Sequence, residues 1–119
     1  MSTDLLFGRD QQGLNAYAPP MPTDIYTATL AASSAASVTV PANNPIWVMY
    51  VRCEPTKRCW VSATTTAAIP AGGTLAASQS DLIVGTIEYK RTVYAGDVLS
   101  FITAETTCDI VVEFYVAIP

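Results

Sequence analysis

Short runs of β-branched and aromatic residues, interrupted by turn residues at intervals of roughly 8 to 12 positions, constrain this chain's fold most strongly. The clearest run is 108–118. Alternate side chains of a strand point to opposite faces, so this run predicts a strand with one face in the core. The predicted core face holds Cys108, Ile110, Val112, Phe114 and Val116, and the other face holds Asp109, Val111, Glu113 and Tyr115.

Six further segments are predicted as strands: 25–30, 37–40, 46–54, 58–63, 86–94 and 97–104. Segment 46–54 is apolar on both faces, which is typical of a central strand covered on both sides. Segment 97–104 shows the same pattern. Segment 58–63 is expected to pair back on 46–54 as a hairpin around Pro55.

Two connections are read as loops. The Ala/Ser-rich stretch 31–36 has some helical propensity but is too short for an independent helix. The stretch 64–80 is poor in bulky residues and contains Ile-Pro-Ala-Gly-Gly at 69–73. It predicts a long surface excursion with at most a short strand near Thr74 and Leu75.

The whole pattern predicts an all-β fold, a two-sheet antiparallel sandwich that is jelly-roll-like and spans residues 25–119. A length of 119 residues suits one domain. An extended N-terminal arm, residues 1–24, precedes the sandwich.

The arm is rich in Pro and Gly, and its apolar residues follow neither the helical nor the strand period. Large apolar groups are unusual in a solvated tail, so we expect them to be buried on their own domain or on a neighbouring subunit. These candidate interface residues are Leu5, Leu6, Phe7, Leu14 and Tyr17.

Charge and residue types argue against several functions. The net charge is −4, so no basic field attracts nucleic acid, and the absence of His removes the commonest general base and metal ligand. No cofactor motif is present, since Gly72-Gly73 lacks the Lys and helix signal of a phosphate loop. The sequence predicts a protein that is not an enzyme and needs no cofactor or metal.

Paired carboxylates are the remaining catalytic possibility, through the four residues Asp97, Glu105, Asp109 and Glu113. Asp97 follows Ala95-Gly96 and is expected to cap a turn. Glu113 is expected on the solvent-facing side of its strand. A calcium site formed by Asp81, Asp97 or Asp109 is the other option for the carboxylates, but no Asp-x-Asp-x-Asp run is present. A small hydrolase is therefore only a rival hypothesis.

The three cysteines are Cys53, Cys59 and Cys108. Zinc sites take about four ligands, so three cysteines without His do not complete one. Without a secretory signal we expect reduced thiols that fill the core, although Cys53 and Cys59 flank a turn that could bring them together. The N-terminus shows no signal-peptide pattern. The longest apolar run, 46–51, is far shorter than the roughly 20 residues of a membrane span, so no membrane partner is predicted.

The aromatic residues have two interpretations. Trp47 and Trp60 lie in apolar runs on strands expected to pair, which favours core anchors. Either of them, or Tyr89 or Tyr94, is alternatively a stacking platform for a sugar ring.

Sparse charge is the most informative compositional feature. Only 13% of the residues are charged, about half the usual share, so the exterior must consist largely of Ala, Thr, Ser and apolar atoms. Burying such residues avoids most of the desolvation and side-chain entropy cost of burying Lys or Glu. Together with the apolar arm, this predicts a subunit of a larger assembly.

Six segments share a pattern: Leu6-Phe7-Gly8-Arg9-Asp10, Gly13-Leu14-Asn15-Ala16-Tyr17, Trp60-Val61-Ser62-Ala63, Ala68-Ile69-Pro70-Ala71-Gly72, the run 93–103 and Glu113-Phe114-Tyr115. Together they resemble segments of small structural proteins of tailed bacteriophages. Pro19-Pro20 and the central cysteines depart from the pattern.

The resemblance implies a decoration or cement protein on the outer surface of the phage capsid, made in the host cytoplasm. The implied partners are the major capsid protein and sister subunits in a dimer or trimer. A carbohydrate-binding module or receptor-binding head-fibre protein is the alternative.

Overall fold

A computed structural model describes residues 21–22, 24–70, 75 and 78–117. Within them the chain forms eight strands. In chain order these are β1 Asp24–Ala31, β2 Ala36–Thr39, β3 Ile46–Cys53, β4 Arg58–Ser62, β5 Asp81–Val84, β6 Tyr89–Tyr94, β7 Val98–Ile102 and β8 Thr107–Val116.

The strands form two antiparallel sheets packed face to face. Sheet I has the order β1-β8-β3-β6 and sheet II the order β2-β7-β4-β5. The first four strands each pair with one of the last four, as β1·β8, β2·β7, β3·β6 and β4·β5. This is the arrangement of a jelly roll, and it confirms the predicted all-β sandwich.

The core lies between the sheets and follows the predicted alternation of β8 from Cys108 to Phe114, whereas Val116, predicted on the core face, is 37% exposed at the end of the strand. Cys108, Ile110, Val112 and Phe114 are all at most 4% exposed. Phe114 makes edge-to-face contacts with Trp47 and with Tyr26, at ring-centroid distances of 6.3 and 5.7 Å. Burial of each large side chain contributes roughly 1.5 to 3 kcal/mol.

Trp47 also fixes the loop that precedes its own strand. Its indole Nε1 donates hydrogen bonds to the carbonyl oxygens of Pro41 and Asn44, at 2.9 and 3.0 Å. The buried ring therefore leaves no unsatisfied donor, and the 41–45 connection is held against the core.

One predicted pairing is wrong. β3 and β4 do not form a hairpin, because the chain crosses from sheet I to sheet II at the turn closed by Lys57 N–H donating to the Glu54 carbonyl at 3.0 Å. Trp47 and Trp60 therefore lie in different sheets. A hairpin and a crossing turn use the same Pro-rich residue types, so local sequence does not separate them.

The prediction also lacks one strand and starts another three residues too early. β5 was not predicted, because its four residues follow the small-residue loop without a turn signal of their own. β6 begins at Tyr89 rather than at residue 86, because residues 85–87 form a turn closed by Ile87 N–H donating to the Val84 carbonyl. Leu75 lies outside any strand, and 31–36 contains no helix.

Candidate interaction surfaces

The predicted interface residues Leu5, Leu6, Phe7, Leu14 and Tyr17 lie outside the described residues. The adjoining Met21 is described and is 81% exposed.

The four candidate aromatic platforms differ in exposure. Trp47 is a core residue at 1% exposure, and Tyr89 is 7% exposed beneath the Arg91 guanidinium, which lies 4.3 Å from the ring centroid. Trp60 is half-buried on the outer face of sheet II, with the Arg58 guanidinium 6.0 Å from its ring. Tyr94, 55% exposed on the outer face of sheet I, presents the most open ring of the four.

The carboxylates considered for acid chemistry have structural partners. Asp97 accepts a hydrogen bond from Tyr94 N–H at 3.0 Å and so caps the β6–β7 turn, as predicted. Glu113 pairs with Arg52 at 2.9 Å, and Asp109 accepts from the Thr29 hydroxyl at 2.7 Å. Three of the four carboxylates therefore have structural partners that explain their positions without a catalytic role.

The three thiols are free and lie together where β3, β4 and β8 meet the core. Cys59 and Cys108 are fully buried, and Cys53 is half-buried with its thiol 3.5 Å from the Lys57 carbonyl. Burial is the main cause that raises the pKa of Cys53 to about 11, and it also raises the pKa values of Cys59 and Cys108. The thiols are therefore protonated, poorly nucleophilic groups near neutral pH.

No group of three or more Cys, Asp or Glu within the described part of the chain is arranged to hold a metal ion. The same residues include no helix of sufficient length and apolarity to cross a bilayer.

One open side of the sandwich, between edge strands β5 and β6, is bridged by polar contacts. Asp81 of β5 accepts a hydrogen bond from the Tyr89 hydroxyl at 2.7 Å and pairs with Arg91 at 3.0 Å. The cleft beside this bridge has a volume of about 370 Å³, and its lining includes Thr64 and Gln79. Sequence reasoning considered Asp81 only as a calcium ligand and missed this bridge.

The opposite side, between edge strands β1 and β2, is apolar. A groove of about 140 Å³ opens there and reaches core residues. Its lining includes Tyr26, Ala28, Val38, Phe101, Ile110 and Val112. Tyr26 points toward the core side of sheet I yet remains 41% exposed. Sequence reasoning missed this groove, and the available signal was the absence of charge from residue 25 to residue 31.

A third depression lies on the outer face of sheet II and is rich in hydroxyl groups. It has a volume of about 410 Å³, and Ser37, Ser100 and Thr64–Thr66 are among its lining residues. The Ser100 hydroxyl accepts a hydrogen bond from Ala67 N–H at 2.9 Å. This bond holds the loop that follows β4 against sheet II.

The outer face of sheet I carries a small apolar cluster. Val48 and Tyr115 are buried there at 5% and 7% exposure, with Tyr50 and Ala117 packed against them. Burial is the main cause that raises the pKa values of Tyr50 and Tyr115. Tyr115 was predicted on this face, but its burial was not foreseen from its polar neighbours along β8.

The chain matches no protein-family model, no curated protein and no solved structure.

Proposed function

We propose that this protein is a structural virion subunit that decorates and stabilises a bacteriophage capsid shell by binding the major capsid protein and sister subunits. The proposal assigns no chemical step to the chain. It begins from the resemblance of several segments to phage structural proteins and is supported by the surface of the sandwich.

The observation that carries the proposal is that the basic residues of the sandwich have partners within the protein. All five basic residues of the described part are engaged: Arg52, Lys57, Lys90 and Arg91 form ion pairs, and Arg58 lies over Trp60. A covering partner therefore meets cations that already have a counter-charge or an aromatic ring beside them, although Arg52 and Arg91 remain more than half exposed and still lose water on burial. Exposed pairs of this kind add little stability by themselves.

Exposed apolar side chains provide the complementary feature. Ile25, Ile46 and Tyr94 on sheet I and Val98 on sheet II are between 36% and 55% exposed. Scattered apolar residues are common on protein surfaces. Here Val98 lies opposite Thr39 and Ile46 lies opposite Tyr94, whereas Ile25 lies opposite Glu113. Such a surface suits repeated protein contacts, each needing roughly 1,200 to 2,000 Å² of total buried area.

The mechanism is mass action. A subunit that binds only the assembled lattice shifts the equilibrium toward that lattice, and repetition of the contact over the shell adds avidity. The test is co-sedimentation of the full chain with shells assembled from the major capsid protein encoded in the same genome. Saturable binding and a higher shell melting temperature are expected. Absence of binding to intact shells would overturn the proposal.

A glycan-binding head-fibre role is the second candidate, and the exposed Tyr94 ring favours it. The β5–β6 cleft adds Gln79, Asp81 and Arg91, which are residue types that bind sugar hydroxyls. A glycan array distinguishes the two functions. Saturable binding to one glycan that is lost in Tyr94→Ala supports the head-fibre role, whereas unchanged background signal in both proteins favours decoration.

A further inference from the structure

The four edge strands of the sandwich differ in how well they are protected from pairing with a strand of another chain. On one side, Asp81 of β5 and Arg91 of β6 join the two sheets, and Lys90 adds a second charge to that edge. Inward-pointing charges and edge lysines are devices that prevent strands from pairing with other chains. On the other side, β1 carries no charge from residue 25 to residue 31, and β2 carries none at all.

The geometry of β1 suits it for pairing. It pairs with β8 in an unbroken register over all eight of its residues, from Asp24 opposite Phe114 to Ala31 opposite Thr107, so no bulge twists its edge away. Among the described residues, β8 is its only strand partner. A long, neutral edge without a bulge is a template for another strand.

The groove beside β1 adds an apolar contact. Tyr26 and Ala28 line it from β1, and Val38 lines it from β2. Ile25, on the outer face of the same strand, is 48% exposed. An added strand would therefore cover apolar side chains on both faces of sheet I as well as satisfying the main-chain groups of β1.

We propose that β1 pairs antiparallel with β1 of a second copy, so that sheet I continues through eight strands across a two-fold axis. This inference deepens the proposed function, on which it rests, by naming the contact between sister subunits. A two-fold axis perpendicular to the sheet keeps the core faces of both copies on the same side. Paired residues must then share a face.

Within this rule, one register is favoured. With Ala28 at the axis, Tyr26 lies opposite Leu30 of the partner subunit and Thr27 lies opposite Thr29 of the partner subunit. Seven residue pairs form, with roughly six to eight main-chain hydrogen bonds. The register centred on Thr27 instead places the Asp24 carboxylate opposite Leu30 of the partner subunit.

A second copy is the favoured occupant because the strand complements itself. The seven residues are neutral, so no like charges meet when the strand is paired with its own copy. The two Asp24 side chains lie at opposite ends of the paired ribbon. β2 offers only four residues and makes a shorter edge.

Sedimentation velocity of the full-length chain tests this pairing. We expect a concentration-dependent dimer for the wild type. Thr27→Lys/Thr29→Lys places like charges opposite each other and should raise the dimer dissociation constant about tenfold or more. Thr27→Glu/Thr29→Lys places opposite charges at the same positions and should retain the dimer.

Thr92→Lys is the matched control, because Thr92 is also an exposed threonine on an edge strand of sheet I. It should leave the dimer unchanged. Thermal melts verify that each variant is folded. Ala28→Cys gives an independent readout of register, since oxidised glutathione should cross-link it between copies but should not cross-link Thr92→Cys.

A monomer at high concentration overturns the inference. A dimer that is unaffected by Thr27→Lys/Thr29→Lys also overturns it. If that dimer is then lost on deletion of residues 1–22, the arm and not β1 forms the contact between the two copies. If a monomeric chain still binds shells, the dimer is refuted while the proposed function stands. If a β1-dependent dimer fails to bind shells, the proposed function is refuted while the dimer stands.

Discussion

Asp81 and Arg91 form an ion pair at 3.0 Å that joins the edge strand of one sheet to the edge strand of the other. The same Asp81 Oδ2 accepts the Tyr89 hydroxyl at 2.7 Å. Tyr89 is buried whereas Asp81 and Arg91 are about half exposed. The two contacts of the Asp81 carboxylate should therefore contribute differently to the free energy of unfolding.

The first prediction ranks these two contacts. Tyr89→Phe removes a hydrogen bond to a charged group and should lower the free energy of unfolding by about 1 to 2 kcal/mol. Arg91→Gln removes a solvent-screened ion pair and the cation–π contact with the Tyr89 ring, and at this half-exposed position the two together should cost about 1 kcal/mol or less. Urea unfolding of both variants checks the order, and a larger loss in Arg91→Gln contradicts this assignment.

A second prediction contrasts two glycines. A Cβ at Gly85 would overlap the main chain of Glu54 and Pro55, so Gly85→Ala must displace backbone and should cost about 2 to 3 kcal/mol. Gly96 has a φ of +84° with open space around it, so Gly96→Ala should cost only about 1 to 2 kcal/mol, from backbone strain. Chemical unfolding measures both, and equal costs would contradict the crowding at Gly85.

The thiol cluster predicts a loss of stability at alkaline pH. Burial favours the neutral thiols in the folded protein, raising the pKa of Cys53 to about 11 from an ordinary value near 9. This contribution is complete below the unfolded pKa and is lost as pH rises through the folded pKa. The free energy of unfolding should therefore fall between about pH 9 and pH 11.

Cys53→Ala separates this effect from the titration of Lys and Tyr. The variant should lose less stability than the wild type over the same alkaline interval, measured by urea midpoints. Parallel pH profiles of stability for the two proteins would show that folding does not raise the pKa of the Cys53 thiol. Thiol labelling of the folded wild type at pH 8 should also be slow, because the thiols are protonated and largely buried.

The N-terminal arm gives a fourth prediction. Phe7→Ala should weaken binding to capsid shells while leaving the melting temperature of the isolated protein nearly unchanged, because the eight strands and their core lie within residues 24–116. Deleting residues 1–22 should likewise leave a folded sandwich that no longer docks. Calorimetry and shell co-sedimentation measure the two properties. A sharp drop in melting temperature with docking retained would assign Phe7 to the internal core.

Some features of the fold could be predicted because they are local. Alternation along β8 identified its core face, and Asp97 after Ala95-Gly96 was correctly expected to cap a turn. The crossing between β3 and β4 could not be predicted, since sheet membership depends on contacts with β6, β7 and β8 that are distant in sequence. Burial of Tyr115 likewise depends on Val48 of the neighbouring strand.

The candidate surfaces depend on the same distant contacts. The Asp81 bridge requires β5 and β6 to lie at corresponding edges of different sheets, and the β1–β2 groove requires the same of two other strands. A sequence shows that residues 25–31 are neutral, but only the topology shows that they form an edge.

The salt dependence of shell binding tests the central claim most directly, because a surface with few unpaired charges should attach through apolar and neutral hydrogen-bonded contacts. Binding isotherms of the full chain on intact shells are measured at about 50 and about 500 mM NaCl, between which charge interactions are strongly screened. We predict dissociation constants that agree within about threefold. A loss of affinity greater than about tenfold at high salt, or no binding at either salt, contradicts the account.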